Sequence, residues 1–403
     1  MNHLLVSYHT CPLEEPGAGL SGGMNVFLRG LLEGLAERGI RTDVLTRGVA
    51  KRLEITNPFP DVRILHIPCG WHLPPSRESA YGALQRFIRC ARQLLAAGQT
   101  EYDAVSAHYW MSGVAARGIL AGNPSRGTGL PAMSRLVMMY HTVEARKVAP
   151  VAAAQRKFSV LRKREEERLS GEVGRVVFLS RHDFARTGKF LTAVTGKGSI
   201  IPPGLDDAFR HPPPREEARR RAGVPAGSFM FLLADRPDPD KNIDAALDAF
   251  RALRAEEGGR VRLLVAGQKV PEAALPEGAA CAGAVPHVEM PSLFAAADAV
   301  LYPSMYESFG LVPLEAMAAG TPVVVPLGGY WAKRIRSGGG GLAYATETGN
   351  GLIEAMRALC RDDSLRKRLG DEGKRIAAPF TWEKCTDRWA RLLSSCARPG
   401  SPR

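Results

Sequence analysis

Residues 307–324 read ESFGLVPLEAMAAGTPVV, and this stretch constrains the fold more than any other. An apolar strand over 298–303 (DAVLYP) leads into it, and a short loop, 304–310, follows. The pattern then predicts a helix from Leu311 to Gly320, a residue suited to the left-handed position past a helix end. A second buried strand, 322–326, completes a strand-loop-helix-strand unit. Such units place ligands at the carboxyl end of the strand, where the free amides and dipole of the helix start favour phosphate. Glu307 falls in the loop before the helix and Glu315 inside it. Each carboxylate has two acceptor oxygens and can grip two vicinal hydroxyls. Amides for a diphosphate, flanked by carboxylates for hydroxyls, suit a nucleotide sugar.

A lone glutamate is by default a solvated surface charge. This pair lies within a long apolar segment bounded by turn residues, which is not that default. The segment resembles the paired-glutamate signature of the retaining family-4 glycosyltransferases, in which spacing, glycine, proline and apolar pattern match together. The resemblance implies the α/β architecture called GT-B: two Rossmann-like, doubly wound domains facing across a cleft. It also implies that Glu307 contacts the donor sugar and Glu315 the ribose, with Ser308, Phe309, Gly310 and Leu311 lining the donor site.

A chain of 403 residues allows two domains of ordinary size, and 45% hydrophobic with 24% charged residues is globular composition. The net charge of +13 suits anionic ligands. No interleaving of aromatic and basic residues accompanies it, so nucleic acid is not the expected partner. Much of the charge falls on helical stretches such as 162–168 and 215–221, where solvated charge is the default. The seven cysteines are scattered, with no CxxC pair, which suggests reduced thiols and a cytoplasmic protein. The start, MNHLLVSYHT, is not patterned as a signal peptide, and no apolar run reaches the ~20 residues of a membrane helix.

Strands are predicted near 3–9, 43–46, 62–68, 102–109, 136–142, 175–180 and 199–203, and again at 229–234 and 262–266. Helical spacing separates them, clearest over 24–38, where Met24, Phe27, Leu28, Leu31, Leu32 and Leu35 recur at three- and four-residue steps. This alternation implies parallel sheets with helices on both faces. The proline-rich stretch around 201–214 reads as an interdomain crossing. The expected division is a Rossmann-like acceptor domain over 1–205, a nucleotide-sugar domain over 206–378, and a terminal helical segment, 379–403, that returns to the first domain.

The glycine-rich turn 17–23 lets backbone approach a phosphate, a weak signal alone. Residues 6–27, with 107–113 (AHYWMSG) and YHT at 140–142, resemble the branch of the family that glycosylates inositol phosphate in the mycothiol pathway. Leu20 departs from it, where aspartate is expected. The resemblance places Gly22, Gly23 and Asn25 at the donor, and Arg236 with Lys241 as a diphosphate clamp. Two fixed cations there can replace a divalent metal, so no metal and no cofactor beyond the nucleotide-sugar substrate is expected. Asp238 and Asp240 read as turn residues, and Asp235 departs from the small residue usual at its position. His141 matches the family histidine near the reaction centre. Arg77, Tyr109, Thr142, Lys147 and Arg162, with Lys163 as the alternative to Arg162, align with or beside positions that bind the acceptor phosphate.

The implied activity is transfer of a sugar, UDP-N-acetylglucosamine-like, with retention by front-face substitution, to a small polar, anionic acceptor such as inositol phosphate. The turn DRPDPDKN, 235–242, also resembles sucrose-phosphate synthases. Leu20, Asp235, a short 268–286 segment, and Tyr330-Trp331 with Lys333-Arg334 leave open an enzyme recruited to specialised metabolism, with a changed donor such as a GDP-sugar or a changed acceptor. A nucleotide-sugar-binding protein without transferase activity is the reading from another class, and the set Arg236, Lys241, Glu307, Glu315 and His141 argues against it. A homodimer is left open.

Overall fold

The computed structural model describes residues 1–403 except 16–21, 70–75, 99, 122–131, 236–237, 268–269, 347–349 and 398–403. Two compact units result. The first holds residues 1–14, 23–204 and 382–403, and the second residues 15–22 and 205–381.

The first unit is built on an eight-stranded sheet. Its strands are β1 (Asn2–Val6), β2 (Arg41–Gly48), β3 (Glu54–Phe59), β4 (Val62–Pro68), β5 (Ala104–His108), β6 (Leu136–Met139), β7 (Arg175–Phe178) and β8 (Gly198–Ile200), in the order β3-β4-β2-β1-β5-β6-β7-β8. All neighbours pair in parallel except β3, which runs antiparallel on the edge beside β4. Sequence reading missed β3. Its residues are largely exposed, so no buried face marks the strand. The central strands carry apolar runs because parallel strands are covered on both faces; all five residues of β5 are buried.

The helix Gly23–Ala36 buries Phe27, Leu28, Leu31, Leu32 and Leu35, as its spacing predicted. The helix Trp382–Cys396 packs against it, with the Phe27 ring 6.0 Å from Trp382 and 6.3 Å from Trp389. A Cβ on Gly30 would stand 2.3 Å from Trp382, so only glycine admits this approach. Arg38 Nε donates to Asp387 Oδ1 at 2.8 Å, tying the far end of the same contact.

The second unit has six parallel strands: β9 (Phe229–Ala234), β10 (Val261–Ala266), β11 (Ala279–Gly283), β12 (Ala299–Leu301), β13 (Val323–Pro326) and β14 (Gly341–Tyr344). The order is β11-β10-β9-β12-β13-β14. β12, the loop, the helix Leu311–Ala318 and β13 form the expected βαβ unit. That helix stops in a Schellman motif: Thr321 N–H bonds Ala316 O at 2.9 Å and Gly320 N–H bonds Met317 O at 3.0 Å. Gly320 takes φ +83°, where a side chain is strained, and its Cβ would meet Lys374 Cε at 2.6 Å.

Among the described residues, no helix is long and apolar enough to cross a membrane.

Candidate functional site

In the second unit, functional side chains gather at the carboxyl ends of β9 and β12. Asp235 immediately follows β9. A 3₁₀ turn, Pro239–Lys241, comes next, with Asp238 Oδ1 accepting from Asp240 N–H at 3.1 Å. Asp238 thus performs the turn role expected of it. The Asp240 carbonyl accepts Met305 N–H at 2.8 Å, stitching this turn to the loop after β12. Asn242 then adopts a left-handed conformation (φ 51°) and opens the helix Ile243–Glu257. Arg236 lies outside the described residues.

Lys241 is the hub. Its ammonium bonds the Glu307 carboxylate and stands 2.9 Å from Asp235 Oδ2, with the Tyr302 ring 5.3 Å away. Burial pulls the ammonium pKa down, but the two carboxylates overcome this and hold it above the usual lysine range. Burial pushes the Glu307 carboxyl up, and Lys241, chief among its bonding partners, brings it below its ordinary value. Ser304 Oγ donates to Glu307 Oε1 at 3.1 Å. The carboxylate is therefore ionised, oriented and mostly buried.

Around it the loop is held by aromatic packing. Phe309 is buried, its ring 4.9 Å from Tyr330, 5.1 Å from Trp331 and 5.5 Å from Phe380. Trp331 Nε1 donates to Gly310 O at 2.8 Å, so the Tyr330-Trp331 departure fixes the start of the Leu311–Ala318 helix. Ser308 is buried in the same turn and Leu311 begins the helix, half-buried. The Phe309 side chain thus builds the loop from within.

Glu315 is buried on that helix, 3.2 Å from His287 Nε2. His287 Nδ1 lies 3.7 Å from Asp206 Oδ2. Burial lowers the imidazole pKa, but the Glu315 bond and the acidic surroundings raise it above the ordinary histidine value. Sequence reading missed His287; a single histidine after Pro286 has no local signature.

In the first unit, the sequence candidates collect at the carboxyl ends of β5 and β6. His141 Nε2 lies 3.1 Å from His108 Nδ1. Burial lowers both, His141 to about 3 and His108 well below its usual value, so both rings are neutral. Four non-glycine residues have positive φ among those described: Asp61, Tyr109, His141 and Asn242. Three belong to these clusters, and such strain concentrates where function over-determines the backbone.

Arg162 is buried at 2% exposure and gathers this cluster. Its Nε donates to Glu166 Oε1 (2.7 Å), Nη1 faces Glu144 Oε2 (3.1 Å) and Tyr109 OH (3.3 Å), and Nη2 donates to Thr142 O (2.8 Å) and Oγ1 (3.0 Å). Those contacts match the five N–H groups of a guanidinium. Arg162 therefore fixes Tyr109 and Thr142 in place, with its donors already engaged by the protein. Lys147 stands 3.4 Å from Glu144 Oε2, and Lys163 is exposed on the same helix, Arg156–Glu172. Arg77 opens the helix Arg77–Gly82 and forms no ion pair among the described residues. Asn25 Nδ2 donates to Thr10 Oγ1 (2.8 Å) and Cys11 O (2.6 Å), bracing the loop after β1; Gly22 precedes and Gly23 begins its helix. Gly17, Gly19 and Leu20 lie outside the described residues. Glu144, Glu166 and His108 went unsignalled in sequence, because their partners lie on other elements.

Among the described residues, no group of three or more His, Cys, Asp or Glu is arranged to hold a metal ion.

Two doubly wound units carrying polar clusters at their strand ends define the class, a GT-B glycosyltransferase fold. A sucrose-phosphate synthase from Thermosynechococcus elongatus has the same fold, with a TM-score of 0.84 at 24% identity over 98% of each chain. Residues 21–209 match Glycosyltransferase Family 4, and residues 214–376 match Glycosyl transferases group 1. A D-inositol 3-phosphate glycosyltransferase from Nocardiopsis dassonvillei is 30% identical over 98% of this chain and 94% of its own. One from Geodermatophilus obscurus is 33% identical, covering 97% and 89%. The chain belongs to this glycosyltransferase family, and it is an enzyme that uses a nucleotide-sugar donor.

Proposed function

We propose that the enzyme transfers a sugar, with retention, from a UDP-N-acetylglucosamine-like donor to a small anionic acceptor of the inositol-phosphate type. The observation that carries this reading is the Lys241–Glu307 pair beside the start of the Leu311–Ala318 helix, with Glu315 within that helix. Lys241, with Arg236, takes the diphosphate; the helix amides add neutral donors; Glu315 takes the ribose hydroxyls; Glu307 takes the sugar. In the first unit, His141 is neutral and braced by His108. In front-face substitution the bond from the anomeric carbon to the diphosphate oxygen breaks, and the acceptor oxygen bonds the same face. The departing phosphate oxygen takes the acceptor's proton. Lys241, with Arg236 as its expected second cation, stabilises the charge developing on that oxygen. The names of the relatives, with Tyr109 and Thr142 held by Arg162, support a phosphorylated acceptor.

A second reading, a changed donor, is favoured by Asp235, which adds a carboxylate beside the clamp lysine. Incubation with UDP- and GDP-sugars and D-inositol 3-phosphate, read by mass spectrometry and by the anomeric proton coupling of the product, tests both. An inverted product sinks the front-face assignment. Transfer from GDP-sugars alone favours the second reading.

A further inference from the structure

Glu315 does not stand alone on its helix. His287 opens the 3₁₀ turn His287–Glu289, directly after Pro286, and that turn runs into the helix Met290–Ala296. Its Nε2 lies 3.2 Å from Glu315 Oε1, and its Nδ1 lies 3.7 Å from Asp206 Oδ2. The Phe209 ring packs 5.2 Å from the imidazole and 5.9 Å from the Phe294 ring, which holds His287 between the two carboxylates. The His287 side chain is 18% exposed and that of Glu315 8%, so water screens their contact little.

A neutral imidazole has one N–H and one lone pair. With a carboxylate oxygen facing each nitrogen, the neutral ring would turn its lone pair on one anion. The imidazolium instead bonds Glu315 through one N–H and points the other at Asp206, at the distance of an ion pair rather than a hydrogen bond. Charge agrees with geometry. Against the cost of burial, Glu315, Asp206 and Glu15 keep the ring protonated above the ordinary histidine value. Among the described residues no other hydrogen bond reaches the Glu315 carboxylate, so His287 alone fixes its rotation and Oε2 is left for a ligand.

We infer that His287, as its imidazolium, is the positioning residue for Glu315: it anchors Oε1 so that Oε2 meets the ribose of the donor, and its charge makes donor binding strongest in mild acid. The inference rests on the reading of Glu315 as the ribose residue. As pH rises and the ring loses its proton, the bond to Glu315 drops from charge-assisted to neutral. Glu315, Asp206 and Glu15 then lose the cation among them, which further disfavours an incoming diphosphate.

The test titrates the full chain with UDP-N-acetylglucosamine by calorimetry from pH 6 to 8.5, in the wild type, His287→Gln and His287→Leu. GDP-mannose replaces it as the probe if the wild type binds that donor more tightly. The esterified diphosphate of either probe does not titrate over this range, so the slope reports the protein. The wild-type Kd should rise about fivefold, about 1 kcal/mol, as the proton leaves. His287→Gln keeps a neutral donor near Nε2, and should bind without a slope, close to the wild type at pH 8.5. His287→Leu should be flat and about tenfold weaker than the wild type at pH 6. A merely structural role predicts the same loss at every pH. Should the leucine variant fail to fold, the wild-type slope and the glutamine variant carry the test. A wild-type affinity independent of pH, or a slope that survives in His287→Gln, would overturn the inference. Glu315→Gln separates this from the functional reading: donor binding as tight as in the wild type would sink the ribose assignment itself, as would a wild type that binds no nucleotide sugar.

Discussion

The carboxylate of Asp235 stands 2.9 Å from the ammonium of Lys241, which Glu307 also bonds. Two anions share one cation, so a diphosphate arriving at Lys241 meets a charge already compensated. Replacing Asp235 by serine should release Lys241 and tighten UDP binding roughly tenfold, about 1.4 kcal/mol. Calorimetry in EDTA reads this directly. Unchanged or weaker UDP binding in a folded Asp235→Ser variant would show that Asp235 does not compete for the lysine.

Glu307 is expected to act on the sugar rather than the nucleotide. Glu307→Gln keeps the shape and the Ser304 contact but removes the charge. Its kcat should fall roughly hundredfold, in the range of a lost transition-state contact, while UDP affinity changes little. Equal losses in kcat and UDP affinity would instead make Glu307 a ground-state binding residue.

His287 adds a pH dependence of definite sign. Its folded pKa is raised above the ordinary 6.5, with Glu315, Asp206 and Glu15 as the charges that face it. The stabilisation is therefore fully present below that ordinary value and is lost as pH rises through the folded one. Thermal melts of the wild type should lose stability across that window, and His287→Gln should flatten the loss. Parallel curves for the two proteins would remove His287 from the account.

His3 acts in the opposite direction. It is fully buried on β1, with Nε2 2.9 Å from Ser106 Oγ, and burial lowers its pKa to about 3. The unfolded chain takes up a proton below about 6.5 while the folded chain does not, so stability falls as pH drops from 7. At pH 5 this single group costs about 2 kcal/mol. Urea unfolding at pH 7 and 5 should show a difference that shrinks by about that amount in His3→Gln.

Gly30→Ala places a methyl 2.3 Å from the Trp382 ring. Overpacking of this kind costs about 1–3 kcal/mol. The melting temperature should drop and the tryptophan emission should shift as the Trp382–Cys396 helix loosens. A variant as stable as the wild type would mean that the helix pair relaxes without strain.

Local chemistry was legible in the sequence. The alternation of apolar strands and periodic helices, the Schellman glycine at 320 and the Asp238 turn all follow from spacing over a few residues. The edge strand β3 escaped because it buries no face, so period and burial gave no signal. Which charges meet was decided by topology. Lys241 and Glu307 are 66 residues apart and touch because parallel strands β9 and β12 bring their carboxyl ends to one edge, while Arg162 and Tyr109, 53 apart, touch because the helix Arg156–Glu172 sets Arg162 against the residue that follows β5. The sequence could therefore offer Arg162 as a cation but not show that its donors are filled. A side chain's chemistry depends on which partners remain after packing, and only the folded sheet assigns them.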